Sequence, residues 1–183
     1  MFNLAKFLDW LSEADRDTPH TSRYHKESFY MHTIAVAYEA TLTKPSRRLY
    51  LAALLHDIGK PETLVIRDGK GSTFYNHETH LDLISTFLTE DDEDYEDVCN
   101  LIKYHMLPYT MKGLDPWRTE AEQKFIGLMR QHDSAFFRDL FTLHICDMKG
   151  SFSDETKVPD KDTLVKMINT IRFPELYMEG LKR

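Results

Sequence analysis

Apolar spacing constrains this chain more than any other feature. In one segment after another, large apolar residues recur every three or four positions, and proline, glycine and short polar breaks separate the segments. Residues 2–14 place Phe2, Leu4, Phe7, Leu8, Trp10 and Leu11 at helical intervals before the break at Asp17-Thr18-Pro19. A second run, from about His25 to Ala40, sets Phe29, His32 and Val36 along one face and stops before Thr43-Lys44-Pro45. A third, Ser46 to Leu55, opens on a serine able to cap it and delivers His56-Asp57 at its C-terminal end. Further helices are expected over His77 to about Leu88, Tyr95 to His105, Thr119 to Arg130 and Ser134 to Lys149. A last one runs from about Thr163 to an interruption near Pro174, and Pro108, Gly113, Pro116 and Gly150 punctuate the series. Residues 63–75 depart from the pattern: β-branched flanks around Arg67-Asp68-Gly69-Lys70-Gly71 indicate a short β-hairpin or a structured loop. The expected fold is an all-α helical bundle with that short hairpin as its one β element.

At 183 residues the chain is long enough for one sizeable core, so residues 1–183 are expected to form a single domain. Its motif-bearing core spans about 25–150, with a C-terminal helical appendage at 151–183 for which the sequence offers no functional reading. No apolar run approaches the roughly 20 residues needed to span a bilayer, and the N-terminus lacks a basic flank followed by an apolar stretch. A cytoplasmic protein with no membrane partner is expected; the oligomeric state is open. A formal net charge of -7 excludes bulk nonspecific adhesion to nucleic acid, which needs a basic surface. Seven acidic residues in the eight positions from Glu90 to Asp97 read as a solvated loop and helix start, since the ligand spacing of a calcium loop is absent. Lys44, Arg47 and Arg48 read as an exposed helix start, with contact to a polyanionic substrate as the alternative. Cys99 and Cys146 are isolated in apolar helical contexts and read as free buried thiols, with no activating base beside them.

Nine histidines raise a metal hypothesis, although a lone helical histidine is more often a satisfied core or surface residue. Arrangement changes the odds. His32, His56-Asp57, His77, His105 and Asp147 each lie in or beside a separate helical segment, so a bundle can bring all of them to one interior point. The doublet is the informative part, because adjacent helical side chains diverge by about 100° and rarely share one structural purpose. Ile58-Gly59-Lys60-Pro61 then ends the helix, with glycine where the backbone turns and Lys60 placed to meet an anionic oxygen. Imidazole and carboxylate without thiolate suit manganese, iron, nickel, cobalt or magnesium better than structural zinc. His80 lines a pocket or the surface, and His77-Glu78-Thr79-His80 is one residue short of the zinc-protease helix motif. His20, His132 and His144 are assigned to surface or core. Tyr104, Tyr109 and Trp117 are core residues or stacking partners for a base.

Three elements, His32 in Tyr30-Met31-His32-Thr33, Leu54-Leu55-His56-Asp57-Ile58-Gly59-Lys60-Pro61 and Asp147 in His144-Ile145-Cys146-Asp147, resemble the HD-domain metal-dependent phosphohydrolases. A closer resemblance is to the HD domain of bacterial tRNA CCA-adding enzymes. It is carried by Tyr24-His25-Lys26-Glu27, the doublet segment, Phe74-Tyr75-Asn76-His77-Glu78, Leu101-Ile102-Lys103-Tyr104-His105-Met106 and Asp147, from about His25 to Gly150. Two departures matter. No nucleotidyltransferase domain precedes it, so CCA addition is not implied, and Leu81 stands where relatives often carry glycine.

The resemblance implies His32, His56, Asp57 and Asp147 as ligands of a first divalent metal, with His77 and His105 in positions used for a second. Asp57 would bridge two ions, and a one-metal site without His77 and His105 is the alternative. It implies metal-activated water attacking a phosphate ester, with Asp57 and Lys60 as the catalytic side chains, Lys60 and His25 touching substrate, and Glu27 touching substrate or supporting a ligand. The expected partner is a small phosphorylated substrate, a nucleotide or an RNA end with a 2′,3′-cyclic phosphate. A deoxynucleotide phosphohydrolase is the first alternative, although such relatives often carry glutamate where this chain has Lys60. A catalytically silent binding or regulatory module is the second; both His56 and Asp57 are retained against it.

Overall fold

The computed structural model describes residues 1–20, 22, 25–67, 71–112 and 118–172. Tyr24, the hairpin tip Asp68-Gly69-Lys70, Gly113, Pro116, Trp117 and the interruption near Pro174 lie outside the described residues. Within them the chain runs through α1 (Leu4–Asp17), α2 (Phe29–Leu42), α3 (Arg47–Leu55) and α4 (Lys60–Thr63), then a hairpin of β1 (Leu64–Arg67) and β2 (Gly71–Phe74). A 3₁₀ turn (His77–Thr79) and α5 (Ile84–Phe87) lead to α6 (Tyr95–Tyr104), α7 (Leu107–Lys112), α8 (Arg118–Leu128) and α9 (Ser134–Gly150). A second 3₁₀ turn (Glu155–Lys157) and α10 (Lys161–Arg172) follow. The all-α expectation with one short antiparallel hairpin is met. The strands pair from Leu64 opposite Phe74 to Arg67 opposite Gly71, where Gly71 takes the positive φ of 75° that closes the turn side.

Helix α2 is the axis of the bundle because it is apolar on nearly every side: Met31, Ile34, Ala35, Val36, Ala37 and Ala40 are all buried. A helix with no polar face must be surrounded, and α3, α9 and α10 pack on it. Local chemistry sets the boundaries. Ser28 caps α2 by accepting from Met31 N, Ser46 caps α3 by accepting from Leu49 N, and Asp133 caps α9 by accepting from Phe136 N. One apolar cluster extends from Phe7, Leu8 and Leu11 of α1 to Ile171 of α10, and the Tyr50 hydroxyl donates to Ile171 O. Helix α10 of the C-terminal segment packs on α2 and contributes Ile171 to this cluster. No helix of the described residues is long and apolar enough to cross a membrane.

Four local readings are corrected. The second helix begins at Phe29 rather than His25, because Ser28 is its cap and Glu27 is engaged elsewhere, its Oε2 accepting from Lys26 N and Phe152 N. The expected helix from His77 to Leu88 is broken into a 3₁₀ turn and α5: Asn76 enters with φ 60° and His80 leaves helical geometry at ψ 81°. Pro108 does not interrupt structure but sits in the first turn of α7, where a missing N–H costs nothing. The acidic run is not merely solvated. Arg47 Nη1 and Nη2 reach Asp92 at 2.6 and 2.8 Å and Nη1 reaches Asp94 at 2.5 Å, while Arg48 bonds Asp97 at 2.5 Å and buried Asp139 at 2.8 Å. The arginines that open α3 therefore anchor it to the acidic loop and to α9.

The junction of α9 with α2 depends on Gly150, where an added Cβ would stand 2.5 Å from Val36 Cγ2 and 2.9 Å from Val36 N. Gly150→Ala is expected to destabilise the protein by about 1–3 kcal/mol through overpacking, read as a lower urea midpoint with an unchanged denaturant slope. An unchanged midpoint would show that the two helices separate at no cost.

Candidate metal centre

Helix α3 ends at Leu55, and residues 56–59 turn, with Ile58 N donating to Leu55 O and Lys60 N to Asp57 O. His56 keeps helical dihedrals (φ -55°, ψ -33°), and its Nε2 nevertheless meets Asp57 Oδ2 at 3.1 Å, so the two neighbouring side chains reach one point. Gly59 has an ordinary right-handed φ of -82°, so its role is close approach rather than an unusual turn. A Cβ there would lie 2.2 Å from His77 O and 2.7 Å from His80 Cβ, which means the doublet's turn is packed directly under the 3₁₀ turn carrying His77.

Four imidazoles converge here with the same orientation. The Nδ1–H groups of His56, His77 and His105 donate to the carbonyls of Ala53, Phe74 and Ile102, each three residues upstream, at 3.0, 2.8 and 2.6 Å. His32 Nδ1–H donates instead to Gly150 O at 3.1 Å, across 118 residues. A histidine whose Nδ1 is committed to a carbonyl presents Nε2 as a ligand atom. The Nε2 atoms form two close pairs, His32 with His56 at 3.2 Å and His77 with His105 at 3.3 Å. Lone pairs at such distances repel unless a proton or a cation stands between them. Asp57 links the pairs: Oδ2 is 3.1 Å from both His32 and His56, and Oδ1 is 3.1 Å from His77 and 4.0 Å from His105. Asp147 completes the first group, with Oδ1 3.2 Å from His32 Nε2.

The electrostatics are those of a buried anion with buried bases. Asp57 is 2% exposed; burial opposes its charge, but His56 and the Lys60 ammonium hold its pKa well below the usual carboxylate range. Burial also opposes charge on His32, yet Asp147, Asp57 and Glu27 outweigh it and hold that ring well above the ordinary imidazole value. For His105 nothing outweighs burial, and with His77 and His56 nearby its pKa falls to about 3. Two carboxylates and four Nε2 atoms without a thiolate suit divalent cations, and the ligand atoms separate into His32, His56, Asp147 and Asp57, His77, His105. Neither thiol competes, since burial pushes Cys146 up to about 11 and raises Cys99.

A family comparison bears on this geometry. The HD domain model matches residues 28–135, which contain every residue of this cluster except Asp147. The chain belongs to the HD domain family. Metal-dependent phosphohydrolysis is the general chemistry of HD domains, and they bind divalent metals. No curated protein matches the chain.

Around the HD cluster the structure places one residue that the sequence did not single out, His20, beside Glu27 and Lys60, which it did. His20, assigned to surface or core, is 3% exposed, and its Nε2 accepts from Lys60 Nζ at 2.9 Å. Nothing in its sequence neighbourhood signals that position. Glu27 is buried, and its Oε1 accepts from His25 Nδ1–H at 2.6 Å and lies 3.5 Å from His32 Nδ1. Lys60 is 6% exposed and points inward, its ammonium 2.6 Å from Asp57 Oδ2 and 5.3 Å from the Phe74 ring centre. His80 stays outside the cluster beside Glu62, His132 stacks on Phe136, and His144 is buried in α9.

The carboxylates around His32 favour its protonated form in the metal-free protein, and a metal needs the neutral form, so loading is expected to be coupled to proton release. Calorimetric titration of the apoprotein with Mn²⁺ or Ni²⁺ at pH 7 should give heats that differ between buffers of unlike ionisation enthalpy, corresponding to about one proton released. Identical heats would show that His32 is already neutral.

Proposed function

We propose that this HD domain is a dinuclear metal-dependent phosphohydrolase acting on nucleotides or on 2′,3′-cyclic phosphate ends. The observation that carries the reading is the division of Asp57 between two imidazole pairs, one carboxylate oxygen to each. In this reading His32, His56, Asp57 and Asp147 hold the first ion, and Asp57, His77 and His105 the second. Divalent cations bound there would lower the pKa of a coordinated water and neutralise the charge on the oxygens of the phosphoryl group whose phosphorus it attacks.

The chain's own side chains supply the rest. The four backbone-tied imidazoles are oriented before any ligand arrives, so no rotamer search accompanies binding. The buried Lys60 ammonium lies 2.6 Å from Asp57 Oδ2, where it can pair with a phosphoryl oxygen as charge develops there. His25, with Nδ1–H fixed on Glu27 and its side chain 22% exposed, presents its other nitrogen to the substrate side. Glu27 also ties the segment after α9 to the start of α2 through Phe152 N, which keeps Asp147 and His32 in register. Residues 1–183 are taken as one HD-type unit, since α1 and α10 share the apolar core of the motif-bearing helices.

Two outcomes test the site. Protein stripped of metal and restored with manganese, nickel, cobalt or magnesium should release phosphate from, or open, at least one of a set of cyclic phosphates, nucleoside monophosphates and deoxynucleoside triphosphates; silence on all of them removes the enzymatic reading. Asp57→Ala should abolish metal retention and activity with the helical circular dichroism intact, whereas His105→Ala should lower the bound metal, by elemental analysis, from about two ions to about one. Two ions retained in His105→Ala would refute the division of ligands.

A further inference from the structure

A second group of ligand-type side chains lies on the other side of His32. His20, His25 and Glu27 each offer a ligand atom, and the three atoms lie within 4.8 Å of one another. They belong to the segment that leads into α2, and none of them is among the ligands assigned to the HD centre. His32 separates the two groups: its Nε2 faces Asp57 at 3.1 Å, and its Nδ1 edge faces Glu27 Oε1 at 3.5 Å. The rings of His20 and His25 have their centroids 5.2 and 5.1 Å from that of His32 and 4.2 Å from each other.

One atom of this group lacks a partner. Lys60 Nζ donates to His20 Nε2 at 2.9 Å, so the neutral ring carries its proton on Nδ1. That Nδ1 belongs to a fully buried side chain and has no hydrogen-bond partner among the described residues. Glu27 Oε1 stands 3.9 Å from it, too far for a hydrogen bond. Buried polar atoms are nearly always paired, and an exception calls for a ligand or another physical cause. Glu27 is fixed toward the same point. Its Oε2 accepts from Lys26 N and Phe152 N at 2.9 and 3.0 Å, which leaves Oε1 to meet His25 Nδ1 at 2.6 Å and to face His20. Burial lowers the pKa of both imidazoles, which favours the neutral form that a cation needs.

We propose that His20 Nδ1, His25 Nδ1 and Glu27 Oε1 bind a divalent transition-metal ion of their own, in addition to any held by the HD centre. Two imidazoles and a carboxylate suit zinc, nickel or cobalt better than magnesium or calcium, which take oxygen ligands. Each ring that ligates through Nδ1 carries its proton on Nε2 instead, so both stay neutral and no net proton is released. On His20 that shift removes the acceptor for Lys60, and the ion thereby detaches the ammonium from one of its two holders, His20 and Asp57. Three protein donors with an ammonium close by make a weaker site than the HD centre, so the ion binds on titration and is not retained through isolation.

Zinc is titrated into the metal-loaded wild-type protein and into Asp57→Ala, which keeps all three ligands of this site while its HD centre retains no metal. In both proteins one equivalent should shift the Nδ1 resonances of His20 and His25 in ¹⁵N NMR, and calorimetry should give its affinity. His20→Gln and His25→Gln should each weaken that step by about ten-fold or more, with the helical circular dichroism and the retained metal unchanged. Absence of the Nδ1 shifts in both proteins, equal zinc affinity in wild type and the two histidine variants, or shifts that disappear in Asp57→Ala overturn the assignment. The HD reading is judged separately: a wild-type protein that takes the extra zinc but opens no phosphate ester loses the hydrolase reading and keeps this site, and an active enzyme without the Nδ1 shifts keeps the hydrolase reading and loses the site.

Discussion

A buried carboxylate has to be answered by buried positive or hydrogen-bonding partners, and Asp57 imposes that condition on the centre of this bundle. Taking an ionised side chain out of water costs several kcal/mol even after relaxation, so each element that reaches Asp57 brings a compensating group. Helix α2 brings His32, the end of α3 brings His56, α4 brings Lys60, the 3₁₀ turn brings His77 and the end of α6 brings His105. The apolar residues beside them, Leu54, Leu55, Leu101 and Ile102, are all sealed from solvent. The polar centre and the apolar core are thus adjacent layers of the same helices, and the low-dielectric wall strengthens the attraction within the centre.

Three of the four converging imidazoles are fixed by one local device, an Nδ1–H bond to the carbonyl three residues upstream. For His56 and His105 that carbonyl belongs to the last turn of a helix, where the final C=O groups run short of backbone partners; Ile102 O accepts from His105 N as well as from the ring. In each case the hydrogen bond selects the tautomer that faces the centre. His32 stands in mid-core on α2, whose carbonyls are used within the helix, and so it takes a carbonyl from the end of α9 instead. The close approach at Gly150 that brings α9 against Val36 also supplies that acceptor, so helix packing and ligand orientation are one constraint.

Charge elsewhere is spent on architecture. Arg47 and Arg48 look available to a polyanion in the sequence, but the acidic loop between α5 and α6 and Asp139 of α9 occupy them. What is left at the centre is Lys60, held between Asp57 and His20.

The sequence by itself determined the all-α class, a short hairpin or structured loop between residues 63 and 75, the cap at Ser46, and the positions of His32, His56, Asp57, His77, His105 and Asp147 as residues to explain. These were legible because helical periodicity, capping and turn chemistry act within a few residues. Tertiary structure alone decided which carbonyl holds each ring, how the two oxygens of Asp57 are shared, and that His20 belongs beside the centre. It also decided that His77 rides on a 3₁₀ turn packed over Gly59 rather than on a regular helix. Those outcomes depend on contacts between segments far apart in the chain, such as Glu27 with Phe152 and His32 with Gly150. No local pattern records them, because a side chain that works through one distant partner leaves no period in its own neighbourhood.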